Sequence, residues 1–263
     1  MELDTLLRIN PQPIIDSRNK LIVLWSAKAG CTFVVKWIFF HMGVFDAAFP
    51  RVHKYRVETL YPSQQYSAAV DDFLRAPGDY RAIKFVRPPF KRAVSSYIQA
   101  ARFGYEDAGL SEFLGREIDA THRFSFNEFL RYLETVDLTN CNIHHQLQAH
   151  ALERHRMLAS MFLVNLDCSL QTLPKLESFL SLAKTDPNQF RESHHHTRKP
   201  SSESGDFHGD KVFDIYDKAA PEMPGYRGFY DAELTDRVAS LYAEDLVRYG
   251  FSPSLDEERR NQA

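Results

Sequence analysis

The stretch that decides the fold reads LIVLW at residues 21–25, SAKAGCT at residues 26–32 and FVVKWIFF at residues 33–40. The first run has the length and composition of a buried strand, and the last run is long enough for a helix. Small residues join them, which predicts a strand, a tight loop and a helix N-terminus. Free backbone N–H groups and the helix dipole favour an anion at such a turn. We therefore interpret this stretch as a phosphate- or phosphosulfate-binding loop.

The residue types within the loop suit an anionic ligand. Lys28 adds a full positive charge, and Ala29 and Gly30 let the backbone approach a ligand closely. Thr32 can cap the helix or donate a hydrogen bond to a ligand oxygen. The loop is not a Walker A motif, because G-x-x-x-x-G-K-[ST] is absent and the lysine precedes the glycine. In many α/β proteins a lysine at such a turn serves only solubility, so the loop alone leaves both interpretations open.

A second strand-to-helix unit follows at Tyr80–Ala101. RAIKFV at residues 81–86 reads as a strand, Arg87 stands at its carboxyl end, and Pro88-Pro89 opens a helix. Ligands of open α/β sheets bind beyond the carboxyl ends of the strands, so Lys28 and Arg87 are expected at the same edge. Ser95 lies about two helical turns further on. Two cationic turns of this kind suggest a ligand with two separated phosphate groups.

These two segments resemble the sulfotransferases that use 3′-phosphoadenosine 5′-phosphosulfate (PAPS), especially the carbohydrate-sulfotransferase branch. In that family a loop with a lysine and a Cys-Thr or Gly-Thr pair binds the 5′-phosphosulfate, which corresponds here to Lys28, Ala29, Gly30, Cys31 and Thr32. A second family segment, F-V-R-x-P-F-x-R-x-x-S-x-Y, binds the 3′-phosphate through its arginine and serine. FVRPPFKRAVSSY at residues 85–97 reproduces it, which implies these roles for Arg87 and Ser95.

The predicted fold class is α/β. We expect a single sulfotransferase-like domain over residues 1–263, with a P-loop-like central parallel sheet flanked by helices and a helical insertion on the acceptor side. Residues 1–20 are interpreted as a lead-in, residues 186–211 as a mobile loop and residues 252–263 as a polar tail. MFLVNLD at residues 161–167 predicts a further strand, and Leu173–Leu182 predicts a helix. The basic run His53-Lys54-Tyr55-Arg56 is interpreted as part of a solvated surface loop.

The resemblance also implies residues on the acceptor side and a closing loop. An H-x-x-x-Q segment lies near the acceptor in the resembled branch, and His144 with Gln148 has that spacing. A neutral imidazole suits proton removal near pH 7, so His144 is the predicted base, with His145 as the alternative base or substrate contact. Leu147 stands where the family pattern often has proline. A basic loop late in the chain closes over the cofactor in many sulfotransferases, which points to Arg198 and Lys199.

Composition bounds the remaining possibilities. A formal charge of −3 argues against a general nucleic-acid binder, and 44% hydrophobic residues supply ample core material. The three widely spaced cysteines form neither a disulfide framework nor a zinc pattern, which suggests a reducing compartment. The N-terminus lacks an apolar secretory core, and no apolar run is long enough to span a membrane. We therefore expect a cytoplasmic protein. The histidines at 194–196 lack spaced partner ligands, so no metal site is predicted there.

The leading functional hypothesis is an enzyme that moves a sulfuryl group from PAPS to a hydroxyl or amine of a carbohydrate or small molecule and releases PAP. Lys28 would stabilise the leaving phosphate, Arg87 and Ser95 would hold the 3′-phosphate, and His144 would take the acceptor proton. This scheme requires no metal. One alternative is a phosphotransferase, with Thr32 as a magnesium ligand and Asp167 as the strand-end aspartate. Another is a non-catalytic nucleotide-binding protein. The sequence does not indicate the acceptor or the oligomeric state.

Overall fold

Apolar runs of the sequence form a mixed sheet in the computed structural model. Within the described residues the strands are ordered β1-β2-β3-β4, with β1 at Ile14–Asp16, β2 at Leu21–Leu24, β3 at Arg81–Val86 and β4 at Met161–Asn165. The strands β2, β3 and β4 run parallel, whereas β1 pairs antiparallel with β2. The predicted α/β class with a sheet flanked by helices is confirmed. The sheet is not parallel throughout, because the short turn from β1 into β2 allows only antiparallel pairing.

The structure describes residues 2–158, 160–191, 206–213 and 223–255. These residues fall into two compact units. The first draws on Met1–Arg87 and Gln148–His194, and the second on Pro88–Leu147 and His195–Ala263. The sheet belongs to the first unit, and the second is helical. The residues predicted as a lead-in contribute a helix and the edge strand β1 to the first unit.

The helices follow one another along the chain and are numbered in that order. Their bounds are α1 Leu3–Leu7, α2 Cys31–His41, α3 Phe45–Ala48, α4 Val52–Tyr55, α5 Gln64–Arg75, α6 Pro89–Phe103, α7 Asp107–Leu114, α8 Phe126–Leu133, α9 Ala151–Arg154, α10 Ser169–Phe179, α11 Ala232–Leu241 and α12 Ala243–Tyr249. A π-helical turn at Arg56–Leu60 continues α4. None of the helices in the described ranges combines the length and the apolar character that crossing a membrane requires.

The core of the first unit lies between the sheet and the helices around it. Ile22 and Ile83 of neighbouring strands and Val34 and Ile38 of α2 are fully buried in one apolar cluster. Burial of such side chains is the main favourable contribution to folding, at about 1.5–3 kcal/mol each. This packing holds the amino end of α2, and hence the loop before it, in a fixed position against the sheet.

The second unit has a core of its own, built largely from aromatic rings. Tyr97 of α6 packs against Phe124, Phe126 and Phe129, all of which are buried. A capping box begins α8, with the Ser125 hydroxyl accepting from Glu128 N at 3.1 Å. The regular elements described between β3 and β4 are the helices α6 to α9, in line with the helical insertion that the sequence predicts.

Several element boundaries differ from the prediction. The strand β3 is reproduced as predicted, but β4 ends at Asn165, whose side chain caps the following 3₁₀ turn. The helix expected from Leu173 begins earlier and ends earlier, as α10. Near the C-terminus the helices α11 and α12 are separated at Tyr242. Gly250 ends α12 with a φ of 68°, the left-handed conformation expected of a helix stop.

The segment predicted as a mobile loop is described only in part. It includes a 3₁₀ turn at Pro187–Phe190, and Phe190 is buried in the first unit against Phe33, Phe40 and Phe45. Arg198, Lys199 and the three histidines at 194–196 lie outside the described residues.

Candidate anion-binding site

The loop between β2 and α2 has a backbone that few residues adopt. Lys28 has a φ of 62° and Gly30 a φ of 67°, both in the left-handed region. A hydrogen bond of 3.2 Å from Ala29 N to the Ser26 carbonyl closes the turn that contains Lys28. The left-handed conformation costs a non-glycine residue about 1–2 kcal/mol, so surrounding structure must hold Lys28 in place. At Gly30 a Cβ would lie 2.4 Å from Leu166 Cδ2, which explains the glycine.

The amino end of α2 carries the partial positive charge of the helix dipole. Its hydrogen-bond ladder starts with Val34 N donating to the Gly30 carbonyl at 3.0 Å. The N–H groups of the first turn therefore point out of the helix with no intrahelical acceptor. No acidic residue lies in this first turn, so the helix itself places no carboxylate there to oppose its dipole. Cys31 and Thr32 stand at this end and are half-buried.

Arg87 lies beside the same loop. Its guanidinium Nη1 donates to the main-chain carbonyl of Lys28 at 3.1 Å. Lys28 follows β2 and Arg87 follows β3, and these strands are parallel neighbours. The carboxyl ends of the two strands thus bring both cations to one edge of the sheet, as the sequence predicts.

Gln148 fixes the backbone of Arg87 through both ends of its side-chain amide. Arg87 N donates to Gln148 Oε1 at 2.9 Å, and Gln148 Nε2 donates to the Arg87 carbonyl at 3.0 Å. The amide therefore satisfies the peptide groups that a neighbouring strand would otherwise pair. Sequence reasoning assigns Gln148 to the acceptor. In the structure the side chain is almost fully buried and bonded to Arg87.

A buried ion pair between Lys84 and Glu153 lies next to Gln148 and the start of the loop. Lys84 of β3 contacts Glu153 Oε1 at 3.1 Å and donates to Ser26 Oγ at 3.1 Å. It also donates to the main-chain carbonyl of Gln148. Both charged groups are buried, so each depends on the other and on these hydrogen bonds for its solvation. The sequence analysis did not predict this network. Its signal in the sequence is Lys84 itself, because a lysine within an apolar strand needs a buried partner.

The predicted solvated loop around His53 is wrong in part. Lys54 is exposed, but Arg56 is buried and stacks over the Trp25 ring at 4.0 Å from the centroid. Burial lowers the pKa of the Arg56 guanidinium from its ordinary value. Arg56 Nη1 lies 3.1 Å from His53 Nδ1, and His53 Nε2 lies 2.9 Å from Thr32 Oγ1. The basic run thus reaches the amino end of α2.

His144 belongs to the second unit, where neighbouring residues fix its ring. Asn142 Oδ1 accepts from His144 N at 3.1 Å and lies 2.8 Å from His144 Nδ1. Because that oxygen accepts from a backbone N–H, it is the amide carbonyl, and Nδ1 must carry the ring proton. Tyr105 stacks on the imidazole with ring centroids 4.9 Å apart. The ring is held with the lone pair on Nε2, which is the form a proton acceptor needs.

The carboxyl of Glu106, with 12% of its side chain exposed, is hydrogen-bonded to Asn142. Burial raises the pKa of Glu106, while hydrogen bonds from Tyr132 and Asn142 favour its charged form. The Asn142 amide thus connects Glu106 to the imidazole of His144.

His145 is a core residue of the second unit. It is 1% exposed, its ring meets Phe129 edge to face, and its Nε2 lies 3.7 Å from Glu106 Oε1. Burial lowers the pKa of His145 to about 4, and the nearby Arg92 and His144 act in the same direction. Ser95, the other predicted contact in this unit, is half-buried in α6.

No group of three histidine, cysteine, aspartate or glutamate side chains suited to a metal ion occurs in the parts of the chain that the structure describes. The three cysteines, all among those parts, are unbridged.

Lys28 and Arg87 lie at one edge of the parallel strands, beside the amino end of a helix, and this arrangement in an α/β protein suits a phosphate-type anion. A sequence model described as the sulfotransferase family matches residues 11–252, which include both units. The chain belongs to the sulfotransferase family, whose general activity is sulfuryl transfer. Comparison with curated proteins and comparison with solved structures each gave no match.

Proposed function

We propose that the chain transfers the sulfuryl group of PAPS to a hydroxyl or amine of a carbohydrate or small molecule and releases PAP. The hydrogen bond between the Arg87 guanidinium and the Lys28 carbonyl carries this proposal. It couples two cationic turns at one sheet edge, and PAPS is a ligand with phosphate groups at two separate positions. The resemblance of both turns to phosphosulfate- and 3′-phosphate-binding segments supports the same ligand.

The chemistry of the loop fits the donor. When bound, PAPS supplies an activated sulfuryl group on its 5′-phosphate. Lys28 and the outward N–H groups of α2 supply positive charge where negative charge accumulates on the leaving phosphate. Arg87 supplies a planar set of donors suited to a phosphate, and Ser95 is proposed to add a hydroxyl. Thr32 offers a further donor at the helix end.

His144 is the proposed base for the acceptor. Asn142 holds the proton on Nδ1, so Nε2 carries the lone pair that would take the acceptor's proton as the new bond forms. Glu106 accepts a hydrogen bond from Asn142 and thereby keeps the amide in the orientation that this tautomer requires. His145 is held as a neutral, buried ring, which makes His144 the better candidate of the two.

The phosphotransferase alternative has less support. It needs a magnesium ion held by Thr32 and a strand-end aspartate. Asp167 is the available aspartate, and it is exposed in the 3₁₀ turn after β4. Thr32 already hydrogen-bonds to His53. Family membership also favours sulfuryl over phosphoryl transfer.

Calorimetric binding separates these functions. We expect the protein to bind PAP more tightly than ATP, with no change on adding EDTA. Magnesium-dependent ATP binding in place of PAP binding would establish the phosphotransferase. Labelled PAPS incubated with pooled glycans and small alcohols then identifies the acceptor class. PAP binding with no transfer to any acceptor would leave the non-catalytic nucleotide-binding function.

Two variants test the proposed roles within that assay. Lys28→Ala should lower kcat about a hundredfold or more, because a preorganised charge at the leaving group is lost. Lys175→Ala, at an exposed lysine on α10, is the matched control and should leave kcat unchanged. Asn142→Ala should lower kcat with little effect on PAP binding, because His144 loses its fixed tautomer. Equal kcat in the parent and in Lys28→Ala would remove the loop from the mechanism.

A further inference from the structure

We infer that His53 is a positioning residue of the donor site, which orients the Thr32 hydroxyl so that its proton points to an anionic oxygen of the nucleotide. The inference rests on the proposed function and extends it to residues that the family motif does not contain. It is carried by the hydrogen-bonded series Arg56–His53–Thr32, with 3.1 Å from Arg56 Nη1 to His53 Nδ1 and 2.9 Å from His53 Nε2 to Thr32 Oγ1.

The arginine decides the tautomer of the imidazole. A guanidinium has N–H donors and no acceptor, so His53 Nδ1 must accept the hydrogen bond from Arg56 Nη1. The neutral ring then carries its proton on Nε2, and Nε2 donates to Thr32 Oγ1. Protonating the ring would place a second proton on Nδ1, directly against the guanidinium cation. His53 is therefore held as a neutral donor, and the geometry assigns it no role as a base.

The hydrogen bond from His53 also sets the direction of the Thr32 O–H bond. A hydroxyl has one proton and two lone pairs, and one lone pair of Thr32 accepts from His53. Its proton is then directed away from His53 and needs an acceptor. Thr32 stands in the first turn of α2, where the backbone N–H groups also lack intrahelical acceptors. All of these donors suit a ligand oxygen that only accepts, such as that of a phosphate or sulfate.

Burial and ring stacking hold the Arg56 guanidinium in the position from which it donates to His53. Its side chain is 8% exposed, and its guanidinium stacks on the ring of Trp25. The indole Nε1 of Trp25 in turn donates to the Gln12 carbonyl at 2.7 Å. The cation is thus anchored on one side by an aromatic ring and aimed at His53 on the other. A π-helical turn begins at Arg56, a conformation often found next to functional sites.

Substitutions of His53 distinguish a donor from a base or a spacer. In His53→Gln, the side-chain amide keeps an N–H donor for Thr32 and an acceptor for Arg56. In His53→Phe, the ring volume is kept but both polar contacts are lost. PAP affinity should fall about three- to tenfold in His53→Phe, as expected for one neutral hydrogen bond, and should largely recover in His53→Gln. The acid limb of the kcat profile should keep its midpoint in His53→Gln.

Thr32→Val supplies a second measurement that does not depend on how the His53 variants fold. It removes only the hydroxyl and should weaken PAP binding by a similar factor. Adding His53→Phe to Thr32→Val should then cause little further loss, because the two residues act through one interaction. Thr32→Ser keeps the hydroxyl and should bind PAP like the parent.

Each outcome bears on a specific claim. Equal losses in His53→Gln and His53→Phe would overturn the positioning role, as would additive losses in the double variant or unchanged affinity in Thr32→Val. If the parent protein binds PAP and these variants bind it with the same affinity as the parent, only this inference is overturned. A parent protein that does not bind PAP overturns the proposed function, and this inference with it.

Discussion

The guanidinium of Arg87 donates a hydrogen bond of 3.1 Å to the main-chain carbonyl of Lys28. Arg87 therefore has a structural contact in addition to the phosphate contact proposed for it. The bond helps to hold Lys28 in its left-handed conformation, which costs about 1–2 kcal/mol in isolation. Removing the Arg87 guanidinium should therefore affect the position of the Lys28 backbone.

Arg87→Ala is expected to lower PAP affinity roughly ten- to hundredfold, the range for a lost charge-assisted hydrogen bond. Arg87→Lys should recover only part of the loss, because an ammonium cannot span the Lys28 carbonyl and a phosphate as the planar fork can. Titration calorimetry with PAP measures both variants. Arg81→Ala is the matched control, since Arg81 is exposed at the opposite end of the same strand. PAP affinity equal to that of the parent in Arg87→Ala would contradict the assignment.

Gln148→Met is expected to destabilise the protein by about 2 kcal/mol or more. The substitution keeps the length of the side chain but leaves the N–H and carbonyl of Arg87 without their partner, at roughly 1–3 kcal/mol for each. Chemical unfolding measures the change, and Gln171→Met on the exposed face of α10 is the control. An acceptor-binding role alone would instead raise the KM for the acceptor and leave the unfolding free energy unchanged.

Gly30→Ala is expected to destabilise the protein more than Gly43→Ala does. Both glycines have positive φ, so both variants pay the left-handed cost of about 1–2 kcal/mol. Only at Gly30 does the added methyl meet a neighbour, the Leu166 side chain, whereas nothing lies within 4 Å at Gly43. Thermal unfolding of the two variants gives the difference. If Leu166→Ala does not relieve part of the Gly30→Ala defect, the contact is not its cause.

Acid is expected to destabilise the first unit through His150. The His150 ring is neutral, because Leu152 N donates to Nδ1 at 3.1 Å while Nε2 lies 3.2 Å from the Ile9 carbonyl. Burial lowers the pKa of His150 to about 4, below the ordinary value of 6.5. Between these values the unfolded chain binds a proton that the folded chain does not. The unfolding free energy should therefore fall as the pH drops from 6.5 to 4.

The slope contributed by one such histidine is at most about 1.4 kcal/mol per pH unit. Urea unfolding of the parent and of His150→Gln at several pH values between 4 and 7 isolates it. The variant should lose stability with acid less steeply than the parent, whereas His155→Gln, at an exposed position, should follow the parent. Parallel curves for the parent and His150→Gln would show that this histidine does not cause the acid sensitivity.

Local sequence patterns are sufficient to predict the main elements of the site. The apolar runs predict β2, β3 and α2, because burying a strand or helix requires the corresponding spacing of apolar residues. Lys28 and Arg87 each follow such a strand, and parallel neighbours end at one edge, so their proximity was predictable. The edge strand β1 was missed, because three residues carry too little pattern to be recognised.

The sequence by itself determined the family, the α/β class and the two cationic turns, since each depends on residues within one strand, loop and helix. Only the tertiary structure decided what supports those turns. Gln148 reaches the Arg87 backbone across 61 residues, and His53 reaches Thr32 across 21. Such partners are brought together by the packing of separate elements. Neither contact leaves a periodic signal in the chain, because each depends on a single side chain.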